Sequence, residues 1–158
     1  MSDQQIKNLI KVWWGKAFSE SDHFSKFLFL WICFNAWLAH ESGEDNDREM
    51  IDWLKKQNPQ SSMLVDCFEA CKMQGTFPDN LKFFAGKSPF KDSRGKRPDI
   101  IVKDENDFGN IVEAIYRIRC NLFHGGSEAQ ENETQILIAM SNIILNLWVA
   151  TLNLRING

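Results

Sequence analysis

The sequence is poor in several features, and each shortage narrows the classes of protein that remain. Four cysteines in 158 residues are too few and too irregularly spaced for a disulfide scaffold. The formal net charge is −3, so no overall basic field indicates a nucleic-acid partner. A local positive patch is enough to bind RNA, however, and that class stays open.

A targeting segment and a long apolar run are also lacking. The chain starts at Met1–Gln4 without a charged-then-apolar signal region, so we expect a reducing, cytoplasmic location. The apolar run 27–39 is shorter than the ~20 residues that a bilayer requires. Serine, asparagine and threonine interrupt the longer run 136–154, which we interpret as a core helix. No membrane partner is expected.

No stretch alternates in the manner of a β-strand, and no internal repeat is visible; apolar residues recur instead at three- and four-residue steps. The sequence therefore predicts one all-α domain over residues 1–158. Its architecture is an up-and-down helical bundle of four to five main helices, with an irregular loop before a late helix. The predicted helices cover about 4–18, 22–40, 47–57, 61–75, 108–124 and 134–155, and the loop covers 75–107.

Aromatic residues are plentiful, with twelve phenylalanines and six tryptophans beside one tyrosine. The second helix is apolar nearly all round and should be central, and we expect the amide of Asn35 to be hydrogen-bonded there. Cys67 and Cys71 resemble half of a zinc site, but structural zinc usually takes a second such pair. We interpret them as small buried hydrophobes and expect no metal and no cofactor.

The late helix carries an arginine on its apolar stripe. Arg119 stands four residues after Ile115 and three before Leu122, whereas Arg117 falls on the polar face, where a solvated arginine belongs. A buried guanidinium keeps its charge and must find an anion or several acceptors. His124, five residues on, is a histidine, the side-chain type suited to proton transfer at neutral pH, and it stands beside the expected helix end. The stretch thus offers an anion binder and a proton-transfer group.

Spacing alone leaves the role of these two residues open. Five helical steps separate Arg119 and His124 by about 140°, so contact within one chain is not expected. From composition and spacing, we favour an ion pair between Arg119 and a carboxylate, with His124 capping the helix. The alternative is a site that holds a phosphate.

The same residues resemble a known family. Arg119-x4-His124, with Asn121 inside and Gly125 directly after, is similar to the signature of the HEPN superfamily, the higher eukaryotes and prokaryotes nucleotide-binding domains. The segment 27–38 is similar to an early-helix pattern of several bacterial HEPN families, including the ApeA-like group. Two departures are Cys120, where members often carry a polar residue, and Gly125, where some toxins carry a tyrosine.

The resemblance implies a metal-independent endoribonuclease of toxin or anti-phage defence type, with its active site in the cleft of a homodimer. His124 would be the general base or acid and Arg119 would hold the scissile phosphate. Asn121 would orient one of them, and the product would carry a 2′,3′-cyclic phosphate. The alternative is a non-catalytic HEPN module that binds RNA or a nucleotide, or docks a partner such as an antitoxin or defence-system protein. A purely structural dimerisation domain is a third hypothesis.

A cluster of positive charge lies in the predicted irregular loop. Lys91, Arg94, Lys96 and Arg97 are candidates for contacts with RNA phosphates, and Phe90 for stacking on a base. A solvated loop without a partner explains the same residues equally well.

Overall fold

In the computed structural model, most of the segments with helical periodicity form α-helices. The structure describes residues 1–57, 63–124, 128 and 131–158. This part of the chain contains no strand, so the all-α class is confirmed. Four helices are long and three have nine residues. The helices are α1 (Asp3–Ser19), α2 (His23–Ser42), α3 (Asp47–Lys55), α4 (Met63–Cys71), α5 (Phe77–Ala85), α6 (Phe108–Phe123) and α7 (Asn132–Asn157).

Polar side chains fix where the early helices begin. The hydroxyl of Ser2 accepts from the Gln5 N–H while the Gln5 side chain accepts from the Ser2 N–H, which is a capping box at α1. The carboxylate of Asp22 accepts from the Ser25 N–H and so caps α2. Gly43 ends α2 with a φ of 69°, a left-handed conformation that favours glycine.

The core lies where α1, α2 and α7 meet. Phe27, Leu30 and Phe34 of α2 are fully buried, and Phe34 contacts Trp148 of α7 with ring centroids 6.1 Å apart. The central position predicted for α2 is therefore confirmed. Burial of these aromatic side chains supplies the main driving force for the bundle.

The last helix, α7, is long and apolar enough to cross a membrane by length and composition. Half of its most apolar window is buried within the chain, however, and Trp148 is among the most buried residues of the core. Ile136, Ile143 and Leu154 face outward, with 38%, 45% and 69% of their surface exposed. The chain thus covers only part of α7, and a partner that covers the rest remains a prediction.

The region predicted to be irregular contains a helix, so that prediction is wrong for residues 77–85. Pro78 stands in the first turn of α5, where the missing N–H of a proline has no helical partner to lose. Leu81 and Phe84 are buried, whereas Phe83 is 60% exposed. A proline near the start of a segment is thus compatible with a helix.

Residues 86–107 are irregular, as predicted, and we call them the α5–α6 loop. Within this loop, Phe90 and Ile100 form an antiparallel bridge and exchange hydrogen bonds of 2.8 and 3.0 Å. Phe90 is buried and packs against Phe84, with ring centroids 4.9 Å apart. It anchors the loop and is closed to a base, so its predicted role in stacking on RNA is wrong.

Two predictions about buried groups have opposite outcomes. Cys67 and Cys71 are fully buried, and burial raises the pKa of Cys67 to about 11. Their interpretation as small buried hydrophobes is confirmed. The amide of Asn35 was expected to be satisfied, but its Oδ1 is buried without a hydrogen-bond partner among the described residues.

Candidate functional site

The end of α6 presents the predicted proton-transfer residue at the surface. The side of the helix that faces the core is formed by the buried residues Ile111, Ile115 and Ile118. His124 follows the last helical residue, and its N–H donates to the Cys120 carbonyl at 2.9 Å. Its side chain is exposed, so a bound molecule can reach the imidazole. The glycine cap predicted at Gly125-Gly126 lies outside the described residues.

Arg119 has a carboxylate as its counter-charge, which is the interpretation that composition and spacing favoured. Its Nη2 lies 3.2 Å from Oδ2 of Asp47, the first residue of α3. The side chains are 22% and 25% exposed, so water screens the pair and its contribution is at most about 1 kcal/mol. The guanidinium also lies over the ring of Phe123, 4.6 Å from its centroid. The pair was hidden because its members are distant in sequence.

Arg117 was predicted on the solvated face of α6, and that is wrong. It is 5% exposed, and its Nη1 donates to the carbonyls of Pro98 at 2.8 Å and Phe90 at 3.3 Å. The α5–α6 loop covers this side of the helix, which periodicity within α6 cannot reveal. Arg117 is therefore buried instead of solvated, whereas Arg119 has the carboxylate partner that its place on the apolar stripe favoured.

Asn121 fastens the α5–α6 loop to α6. Its Nδ2 donates to the Lys91 carbonyl at 3.0 Å, and its Oδ1 accepts from the Ser93 N–H at 3.1 Å. No hydrogen bond or ion pair joins Arg119, Asn121 and His124 to one another within the described residues. Their roles in catalysis therefore stay predictions.

The four basic residues predicted to contact RNA are all exposed. The loop is shaped by Asp92, whose two carboxylate oxygens accept from the N–H groups of Arg94 and Lys96, each at 3.1 Å. These hydrogen bonds lower the pKa of Asp92, so the turn is held by an ionised carboxylate. Asn121 places this turn beside α6. These four basic residues are Lys91, Arg94, Lys96 and Arg97, and we call the segment that carries them the basic loop.

Four arginines converge on a small cavity of about 60 Å³, which we call the arginine pocket. Two come from the basic loop, one from α3 and one from α6. No feature of the sequence pairs Arg48 with Arg117, because α3 and α6 are distant along the chain. The pocket is lined by Arg48, Asp92, Arg94, Arg97, Glu113, Tyr116, Arg117 and Cys120.

Glu113 is a site residue that sequence reasoning missed. Its carboxylate accepts from Arg48 at 2.7 and 2.8 Å and from Lys55 at 2.8 Å. Burial by itself would raise the pKa of Glu113, but these hydrogen bonds outweigh it and lower the pKa to about 2. The available signal was a carboxylate among the apolar residues Ile111–Ile115, where a charge needs a partner.

A second concave surface, the apolar groove, lies between α1, α2 and the end of α6. Its volume is about 590 Å³, and Asn35 and Arg119 are the polar members of its lining. Arg119 and Phe123 of α6 line the groove, whereas Tyr116, Arg117 and Cys120 line the arginine pocket. The remaining lining residues of the groove are Trp13, Leu28, Phe29, Trp31, Ile32, Ala36 and Ala39.

In comparisons with known proteins, no family, no curated protein and no solved structure matches this chain. The resemblance to HEPN domains therefore rests on the sequence alone, on the motif that ends α6 and on the segment 27–38.

Proposed function

We propose that the protein is a metal-independent endoribonuclease of HEPN type, of the toxin or anti-phage defence class, with its active site in a homodimer cleft. One observation carries the proposal. Asn121 ties the basic loop to α6 less than one turn before His124, so positive charge and a proton-transfer group share one part of the surface.

The exposed lysines and arginines of the loop supply the attraction for RNA. Phosphate contacts of this kind depend on net local charge rather than on sequence, because they release counterions from the RNA backbone. The chain as a whole is acidic, with a formal net charge of −3, so RNA would be oriented by the loop rather than attracted everywhere. The loop thereby directs the backbone towards the end of α6.

The chemistry needs two groups and no metal. His124 would take the proton of a ribose 2′-hydroxyl, whose oxygen then attacks the adjacent phosphorus. The 5′-oxygen of the next nucleotide leaves with a proton from a general acid, a role open to the second copy of His124 in a homodimer. The 5′ fragment then ends in a 2′,3′-cyclic phosphate, and the 3′ fragment starts with a 5′-hydroxyl. Arg119 would stabilise the charge that develops on the phosphate. Its pair with Asp47 is partly exposed, so a phosphate can replace that carboxylate at small cost.

A second candidate is a non-catalytic HEPN module that binds RNA or a nucleotide, or docks a partner protein such as an antitoxin. Two observations favour it. Arg119 already has a carboxylate partner, and both polar atoms of Asn121 are bonded to the backbone of the loop. In this candidate both residues stabilise the fold, and only the basic loop meets the ligand.

The two candidates separate in a cleavage assay with mixed RNA in EDTA. We expect the wild type to cleave and to leave 2′,3′-cyclic phosphate ends. The variant His124→Ala should lose about 10²–10⁴-fold in rate, which is the usual contribution of a general acid or base. The matched control is His23→Ala, because His23 is also exposed and its contact with Asn142 uses only its backbone carbonyl.

Each other result has a defined meaning. RNA binding without cleavage by the wild type would favour the non-catalytic module. Equal loss of rate in both histidine variants would contradict the role of His124. Absence of both binding and cleavage would reject the ribonuclease proposal and the RNA-binding module together.

A further inference from the structure

The arginine pocket holds more positive charge than its own residues neutralise. Four guanidinium groups face two carboxylates, which leaves two positive charges in excess. The chain as a whole is acidic, so this concentration is not a consequence of composition. An excess of this kind in a concave site is the complement of a small dianion.

Both carboxylates are already bound to the protein. Glu113 accepts hydrogen bonds from Arg48 and Lys55, and it is 4% exposed. The oxygens of Asp92 accept from two backbone N–H groups of the loop. Arg94 and Arg97 form no ion pair within the described residues, and both are exposed at the rim of the pocket.

Arg117 is the most unusual member of the pocket. It is 5% exposed, yet among the described residues it forms no ion pair, and its Nη1 donates to two neutral carbonyls. A buried charge without a counter-charge is costly, and removal from water adds to that cost. A bound anion would compensate it. Asp92 influences Arg117 only at longer range, since the two form no direct pair.

We propose that the arginine pocket binds a phosphate monoester as its dianion, either on a free nucleotide or at the 5′ end of an RNA. Guanidinium groups suit this ligand because their N–H groups bond phosphate oxygens in pairs. The inference does not depend on cleavage by His124, which is not part of the pocket.

The volume and the remaining polar group of the pocket agree with this ligand. A cavity needs about 10–15 Å³ to hold one water, which is one heavy atom. The pocket of about 60 Å³ therefore has room for roughly five heavy atoms, the size of a phosphate group. A nucleoside has to remain outside. Tyr116 lines the pocket, and its hydroxyl, which is protonated at neutral pH, can donate to an oxyanion.

The first experiment uses inorganic phosphate as the probe. We expect phosphate to raise the Tm of the wild type in a saturable manner, relative to chloride at the same ionic strength. Calorimetric titration should show affinity lowered about 10-fold or more in Arg94→Gln and in Arg97→Gln, because each loses charge-assisted hydrogen bonds. Both residues are exposed, so their removal leaves the fold intact. Lys96→Gln is the matched control, since Lys96 belongs to the same turn but does not line the pocket.

The second experiment identifies the source of the phosphate. A 5′-phosphorylated oligonucleotide is compared with its 5′-hydroxyl form and with a nucleoside 5′-monophosphate, in the wild type and in Arg97→Gln. Preference for the phosphorylated oligonucleotide that Arg97→Gln abolishes would assign the pocket to RNA ends. Binding of the mononucleotide without a difference between the oligonucleotides would assign it to free nucleotides.

The proposal is overturned if phosphate has no saturable effect beyond that of chloride, or if Lys96→Gln lowers affinity as much as Arg97→Gln. The variant His124→Ala keeps this test separate from the proposed ribonuclease. Phosphate binding should be unchanged in His124→Ala, whether or not that variant, or the wild type, cleaves RNA.

Discussion

Two sides of α6 differ in how they accommodate an arginine. On the side of the arginine pocket, Arg117 is buried beneath the α5–α6 loop and donates to carbonyls. On the side of the apolar groove, Arg119 remains partly exposed and pairs with Asp47. A single residue separates Arg117 from Arg119 in the sequence. Among the described residues, Arg117 has no counter-charge, whereas Arg119 has one. Local spacing decides the side of a helix that a residue occupies, and distant segments decide whether that side is covered.

The largest effect is expected from removing the carboxylate on the pocket side. Glu113→Gln removes the negative charge that neutralises Lys55 and leaves Arg48 with Asp52 as its remaining carboxylate partner, and breaking a buried ion pair costs about 3–5 kcal/mol. Urea unfolding should show this loss in the free energy of unfolding. The control is Asp52→Asn, which removes the more exposed partner of Arg48 and should cost at most about 1 kcal/mol. Equal losses would mean that burial does not distinguish the two carboxylates.

Acid should weaken the pocket side next. The pKa of Glu113 is about 2 in the folded chain and 4.5 for the unperturbed side chain. Because folding lowers this pKa, the stability that Glu113 contributes is present above about pH 4.5 and is lost as the pH falls towards 2. Unfolding curves of the wild type and of Glu113→Gln should converge over this interval. A constant difference between them would contradict the assignment.

A direct test of the comparison replaces each arginine by methionine. Arg117→Met removes a charge-assisted hydrogen bond to the Pro98 carbonyl, which contributes about 1.5–3 kcal/mol, whereas the Phe90 carbonyl still accepts from the Ile100 N–H. Arg119→Met removes a screened pair and should cost at most about 1 kcal/mol. Thermal melting should therefore show the larger decrease for Arg117→Met. The reverse order would show that Arg119 is the structural arginine, as half of an ion pair with Asp47.

The sequence was sufficient for the helices that depend on their own residues. The apolar pattern of α2 predicted a central helix over about 22–40, because that signal is local. The same reasoning failed for residues 77–85, which were predicted to be irregular although Pro78 stands in the first turn of α5, where a proline is tolerated.

The candidate site was predicted less completely. His124 at the helix end and the exposed basic loop followed from the sequence. The burial of Arg117 and the identity of the carboxylate that pairs with Arg119 did not, because they depend on a loop and on α3 from elsewhere in the chain. Asn121 was predicted beside His124, but its hydrogen bonds to the loop could be known only once the loop was placed.

The short helix α3 has charges at both ends that meet α6. Asp47, its first residue, pairs with Arg119, and Lys55, its last, pairs with Glu113. The helix therefore runs antiparallel to α6, and an ion pair at each of its ends fixes its position along α6. A slip of one turn, about 5.4 Å, would break both pairs together. Hydrophobic contact alone would tolerate several alignments of so short a helix along α6. The two ion pairs at its ends are compatible with a single alignment.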